Sequence, residues 1–478
     1  ADTWTSTNTN LSLTDNASLS STAPLSLATL TTNGHDFKLA NGTTDLTLAN
    51  NFTLSSGKLS TQGGDLIFAG SANISDNASL DATVTTGTGG KLEFKQGGTA
   101  SGTINAGNGT FKLGANYAVD GTLITGSGTT WQLGTSDLDL SGGELLLGGN
   151  VVLDNVITDN HTKFKLAEDA TVTRNAGFTL GGLKFENKTL TLGSATTDLT
   201  LEIGSSDNSS GSNTGSPPGT FATKLADFTV ISSDAVDITT GTTITSTGGK
   251  FSFAKGIKMN GATISLTDTT LAVGDNLTKT GGTLTLNQAD LELTSDLTLN
   301  SDAAMAFDTF APNAKNLELS SSSTAEVSLG SLSLASSSVD VKGGTLSLGG
   351  GSVGANGSLE IGGSGTLKLG GNLAVTGTIN LNNGATTTFA GNKIDVSGGT
   401  LKLAGAHSLN SITTNDQTKL QINNSANVSR TDSETSTVGS LTYIQSGGSG
   451  SLSLSVANMG LTVASATQIS GASLNHSN

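Results

Sequence analysis

The residues able to do chemistry are few and far apart. The chain of 478 residues holds four histidines, no cysteine, 38 acids and 22 bases. His35 stands beside Asp36 in Gly34-His35-Asp36, a pairing that could move a proton. His161, His407 and His476 are isolated, whereas a metal centre needs several ligands at one point. Ser75-Asp76-Asn77 and Ser206-Asp207-Asn208 offer hard oxygens of the kind calcium takes. The nine-residue Gly-Gly-x-Gly-x-Asp pattern that loads calcium into repeat proteins is absent. These segments read as side-chain-capped turns. The remaining Asp residues are dispersed, so no pair of carboxylates suited to cleaving a glycosidic bond stands out. We assign no catalytic, no cofactor-binding and no metal-binding residue. The expected cofactor set is empty, apart from loosely held calcium.

Composition narrows the class further. Only 34% of residues are hydrophobic and 4% aromatic, but the charged fraction is 13% and Pro numbers 4. Disordered chains are richer in charge and Pro. The net charge of -16 leaves no basic patch to neutralise phosphates, which argues against nucleic-acid binding. No run of apolar residues is long enough to insert in a bilayer as a helix. The opening Ala1-Asp2-Thr3 is similar to the mature end left by a small-residue cleavage site, so an exported chain is expected.

The positions of the apolar residues supply the fold. Lys91-Leu92-Glu93-Phe94-Lys95 alternates with period two, as do Leu346-Ser347-Leu348, Leu367-Lys368-Leu369 and Leu401-Lys402-Leu403. A strand points successive side chains to opposite faces, so each run has one buried and one wet face. Gly-Gly or Gly-Thr precedes the runs and Gly or Asn follows, which suits tight corners. No apolar spacing of three and four competes. Grouped in threes, the runs recur about every 20 residues, a solenoid period. The expected fold is all-β: a single long parallel β-helix, or β-solenoid. Phe94, Phe111, Phe164 and Phe185 fall on the inward phase and read as core, as does Trp131. Trp4, Tyr117 and Tyr443 are too sparse for a sugar-binding aromatic track.

A larger repeat lies over the small one. Residues 109–166 align with 365–422 at a constant offset of 256, with 23 identities in 58 positions and no gap. Outside that core, Gly90-Lys91-Leu92 matches Gly344-Thr345-Leu346 at offset 254. Arg174 aligns with Arg430, and these are the only arginines of the chain. We read them as corner residues covering neighbouring coils. The expected organisation is a first solenoid copy over residues 1–204, a protruding loop over 205–220 carrying Pro217-Pro218, and a second copy over 221–478 continuous with the first.

The Gly-Gly-Thr-Leu-x-Leu-Gly runs, the wealth of Asn, Thr and Ser and the missing Cys resemble bacterial surface β-helix proteins. Autotransporter passenger domains and filamentous-haemagglutinin-like adhesins are similar in this style. The resemblance implies a right-handed parallel β-helix, export through an outer membrane, and adhesion or matrix building; it carries over no functional residue. Gly34-His35-Asp36 is also similar to a catalytic triplet of some pectin-cleaving β-helix enzymes, but it has no partner motif, and a wet turn is the reading adopted.

The expected function is that of a secreted structural protein at a bacterial cell surface. It would be a fibre or filament subunit, not an enzyme, whose main partner is itself through end-to-end strand pairing. The alternative is an adhesin that binds host or neighbour-cell glycans or proteins through its flank, with the 205–220 loop as its site. A third alternative is a polysaccharide-degrading β-helix enzyme.

Overall fold

The computed structural model describes residues 9–81, 90–194, 196–203, 220–224, 226–431, 434–444, 452–456, 461–463, 467–470 and 474–477. Within them every regular element is a β-strand, and no helix occurs. The strands are short because each alternating run is closed by a corner. Leu46–Leu48, Leu66–Phe68 and Lys91–Phe94 are three of them. All the named ladders are parallel, and an isolated bridge between Thr239 and Gly261 is antiparallel. Parallel neighbours require a long return connection. Here that return is the remainder of the coil, so each strand pairs with its own counterpart about one coil later. Leu46 sits against Leu66, Phe111 against Trp131, and Leu346 against Leu367. The architecture is a β-solenoid of about 20 residues per turn.

The chain divides into two compact units, Ala1–Ser233 with Gly241–Gly249, and Asp234–Thr240 with Lys250–Asn478. In the first unit, one face is a six-stranded sheet from Leu25–Leu27 through Thr110–Leu113 to Thr130–Gln132. In the second unit the three faces of a coil are distinct. One runs from Met305–Phe307 to Thr386–Thr388, the next from Leu332–Leu334 to Ile412–Thr413. The third includes Leu317–Leu319, Ser338–Val341, Ser358–Ile361 and Thr378–Leu381.

Inward residues stack in columns. Leu48, Phe68, Phe94 and Leu113 form one, and all are buried. The Phe68 and Phe94 rings lie 5.1 Å apart and 8° from parallel. Phe111 continues the cluster, and Trp131 meets it edge-on at 5.6 Å. Full burial of each Leu or Phe contributes about 1.5–3 kcal/mol, so a thin core repeated coil after coil suffices. Phe94, Phe111 and Phe164 are buried as expected; Phe185 is half-buried against Phe221. Trp131 is only half-buried, because its strand ends the sheet.

The corners explain the abundance of Asn and Asp. Their side chains do more than cap their own turns: they accept from the backbone of the next coil. Asn16 Oδ1 accepts from Asp36 N at 2.8 Å, and Asp36 Oδ1 from Lys58 N at 2.8 Å. Asp296 and Asn316 repeat this, holding the N–H of Asn316 and Ser338 at 2.8 and 2.9 Å. Coils also approach too closely for side chains at some corners. Gly98 and Gly351, at φ 143° and 138°, lie where a Cβ would collide with the carbonyls of Ala72 and Leu332. Elsewhere a strand rounds the corner unbroken. Ser75-Asp76-Asn77 lies inside such a strand, Ala72–Asp81, at a register shift, and is not the loop expected from its residues.

Over residues 110–157 the duplication is exact at the level of strands. Thr110–Leu113, Tyr117–Val119, Thr122–Thr125, Thr130–Gln132, Leu138–Asp139, Glu144–Val152 and Val156–Ile157 recur as Thr366–Leu369, Leu373–Val375, Thr378–Leu381, Thr386–Thr388, Ile394–Asp395, Thr400–Ser408 and Ile412–Thr413. Every boundary is displaced by 256. The Pro217-Pro218 loop, Ser206-Asp207-Asn208, Trp4 and the His476 side chain lie outside the described residues.

Candidate functional site

Charge or polar groups gather at several places among the described residues. The first is a column of carboxylates. The outward residues of Leu317-Glu318-Leu319, Val339-Asp340-Val341 and Leu359-Glu360-Ile361 fall in register on three successive coils. Parallel strands put such neighbours about 4.8 Å apart. Burial raises the Asp340 carboxyl above the usual carboxylate range, the Glu360 and Glu318 charges add to that, and Lys342 opposes it. Lys342 Nζ lies 2.6 Å from Glu318 and 3.8 Å from Asp340, while Asn382 Nδ2 donates to Glu360 at 2.7 Å. A carboxyl whose proton is held more tightly by burial and neighbouring charge is a pattern shared by proton-transfer sites. The three are strung along the coil axis and do not converge on one point. Among the described residues no group of three or more His, Cys, Asp or Glu is placed to hold a metal ion.

The second is a shallow groove of ≈ 360 Å³ on the first unit, lined by Thr99, Ser101, Asp120, Asp139 and Ser141 with Ala118 and Val119 beneath. Asp139 is fixed by the Ser141 N–H at 2.9 Å. Two carboxylates and three hydroxyls over a small apolar floor could accept and donate to a polyol.

The third is the pair of arginine corners. Arg430 closes the strand Lys419–Arg430 and is 1% exposed, so it points into the core. The expected corner residue covering neighbouring coils is instead a side chain buried within the stack. Its Nη1 donates to Ile412 O at 3.3 Å and to Ser436 Oγ at 3.0 Å, and its Nη2 to Glu434 at 2.7 Å. Glu434 also takes Lys393 Nζ at 2.9 Å. Arg174, the first-copy counterpart, is half-buried. Burial lowers its pKa and the charge of Asp154 partly restores it.

The remaining sequence candidates separate. His35 closes a turn through Asn33 and Gly34, its N–H donating to Thr32 O at 2.9 Å, and Asp36 after it serves the coil ladder. His161 Nδ1 lies 3.3 Å from Asp159. Asp159 itself is a corner acceptor. Burial would raise its carboxyl, but bonds from His161 N, the Thr162 hydroxyl, Gly142 N and Thr162 N outweigh this and hold it below the usual range. His407 is buried on the inward phase where the first copy has Val151, with Nε2 2.9 Å from Ala404 O. The search along the sequence missed the carboxylate column. Its signal was present: an acid in the middle of three Leu-x-Leu-type runs spaced by one coil.

No protein-family model, no curated protein and no solved structure matches the chain.

Proposed function

We propose that this chain is an extracellular structural protein, a β-solenoid subunit that joins further copies of itself through strand pairing. The observation that supports this reading is the coil interface itself. Each coil offers the next an in-register row of backbone groups, an Asn/Asp ladder and a column of Leu or Phe, and little in the described residues is diverted from stacking. A surface that binds a copy of itself along the chain is chemically suited to bind one in another chain. Secretion to a bacterial surface, in the manner of autotransporter passengers or filamentous-haemagglutinin-like adhesins, belongs to the same proposal. Light scattering across a concentration series, with electron microscopy of the concentrated sample, tests it. Filaments or growing oligomers support it. A monomer at every concentration with no fibres ends it.

A second reading has its own observation, the groove holding Asp120 and Asp139. If that groove cleaves polysaccharide, reducing ends appear from an acidic or neutral glycan and vanish with Asp139→Asn. No release from either glycan class removes this reading.

A further inference from the structure

The two copies treat their arginine differently, and the difference lies in one turn. The strands before it correspond at offset 256, from Thr110 against Thr366 to Lys163 against Lys419. The strands after it, Phe178–Leu180 and Ser436–Val438, correspond at offset 258. The second copy is therefore two residues longer between them. Its turn contains Glu434, and Ser436 opens the next strand; both bind the Arg430 guanidinium. The first copy has Ala176 and Phe178 at the corresponding places. Neither can accept a hydrogen bond through its side chain.

Arg174 is nonetheless held firmly. Its N–H donates to Thr197 Oγ1 at 2.9 Å, and its carbonyl accepts from Ser194, Thr196 and Thr197 hydroxyls at 3.3, 3.0 and 3.1 Å. Its Nε is buried and has no acceptor. Asp154, the nearest carboxylate by electrostatic effect, is engaged by the N–H and Nδ2 of Asn175, both at 2.8 Å. Among the described residues no carboxylate forms an ion pair with Arg174. A buried donor left unpaired in a native fold calls for an explanation, an absent ion among them. The second copy shows which group completes the same framework: a carboxylate.

We infer that Arg174 is the anchor of a carboxylate-binding site, which takes from a ligand the group that Glu434 supplies within the chain at Arg430. The ligand docks against the guanidinium at the corner formed by Asn175, Ala176 and Gly177, with the unpaired Nε–H among its donors. Arg is suited to this, since its planar fork matches a carboxylate with two parallel bonds. The shared chemistry is the carboxylate, whether carried by a uronic acid or by a simple organic acid.

The test uses the full chain labelled with nitrogen-15. With two arginines in the sequence, its Nε–Hε region holds two signals, assigned by Arg174→Lys and Arg430→Lys. Sodium acetate and sodium glucuronate are titrated in turn, with sodium chloride and glucose as controls. The Arg174 signal is expected to shift saturably with a carboxylate and to stay put in chloride and glucose, while the Arg430 signal does not move. Tighter response to glucuronate marks a uronate; equal response marks a bare carboxylate. Ala176→Glu, which places an acid in the first-copy turn, should abolish the response. The inference is overturned if carboxylates move the Arg174 signal no more than chloride does, or if Ala176→Glu responds like the parent chain.

Discussion

Thr162 and Thr418 make the same bond in the two copies. Each buried hydroxyl donates at 2.9 Å to the carbonyl of the residue 22 positions earlier, Leu140 in one copy and Val396 in the other. Each also meets the side chain at the start of its turn, Asp159 at 3.0 Å and Asn415 at 3.2 Å. The acceptor changed type between copies and the hydroxyl did not. The hydroxyl therefore carries the geometry that stitches coil to coil.

Thr162→Val and Thr418→Val should each lower stability by about 1–2 kcal/mol, because the carbonyl loses one of its two donors and the N–H of Asp159 or Asn415 loses the hydroxyl that accepts from it, while the shape is kept. Denaturant unfolding followed by circular dichroism measures it. A change near zero at both sites would show that the hydroxyls merely fill space.

The aromatic cluster is a packing device with an aliphatic equivalent. Phe94 corresponds to Leu348 at offset 254. Phe94→Leu should cost less than about 1.5 kcal/mol, and Phe94→Ala about 3–5 kcal/mol, since only the latter leaves a cavity between Phe68 and Phe111. Equal losses for both would mean that ring stacking, not volume, matters here.

Removing Glu434 takes a carboxylate away from a buried cation. Glu434→Ala should destabilise the chain by about 2 kcal/mol, below the usual figure for a broken buried pair because Glu434 is 48% exposed. Arg430→Met should be better tolerated than Glu434→Ala, and thermal unfolding of the two variants compares them. The reverse order would place the stabilisation in the guanidinium bonds to Ile412 and Ser436.

Acid should weaken the second unit through Asp302. The bond from Lys279 Nζ, 2.8 Å away, is the largest influence holding this carboxyl below the ordinary value of 3.8, with the Gly281 N–H second. A depressed folded pKa contributes stability above the unfolded value, which is lost as pH falls through the folded one. Unfolding midpoints should therefore drop below about pH 4. Asp302→Asn should already be destabilised at pH 7 and show a smaller further drop. Asp340 has the opposite sign. Its raised folded pKa means that ionisation costs stability as pH rises. Asp340→Asn should gain about 0.5 kcal/mol at neutral pH by relieving like charges on adjacent strands. Unchanged stability of that variant would show that Lys342 already neutralises the column.

Much of this was legible in residue order. The alternation of Leu, Lys and Leu marks the strands near Leu346, Leu367 and Leu401 because burial alone decides which face turns inward. The duplication was legible because small corner residues such as Ser141-Gly142-Gly143 tolerate little change. The carboxylate column escaped because Glu318, Asp340 and Glu360 are distant along the chain and become neighbours only once the coil length is known. The burial of Arg430 escaped for another reason. Whether a residue at the end of a strand faces in or out depends on the turn that follows, and that turn differs by two residues between copies.

The constant displacement of strand boundaries makes the two copies interchangeable parts. Because Thr110–Leu113 and Thr366–Leu369 each pair on a preceding strand through four residues in the same register, either could follow Lys91–Phe94. Recombination between the copies would then add or remove whole coils without breaking a ladder. Coil number would be open to inheritance as a quantity, changed by slippage at the gene and independent of any new packing solution.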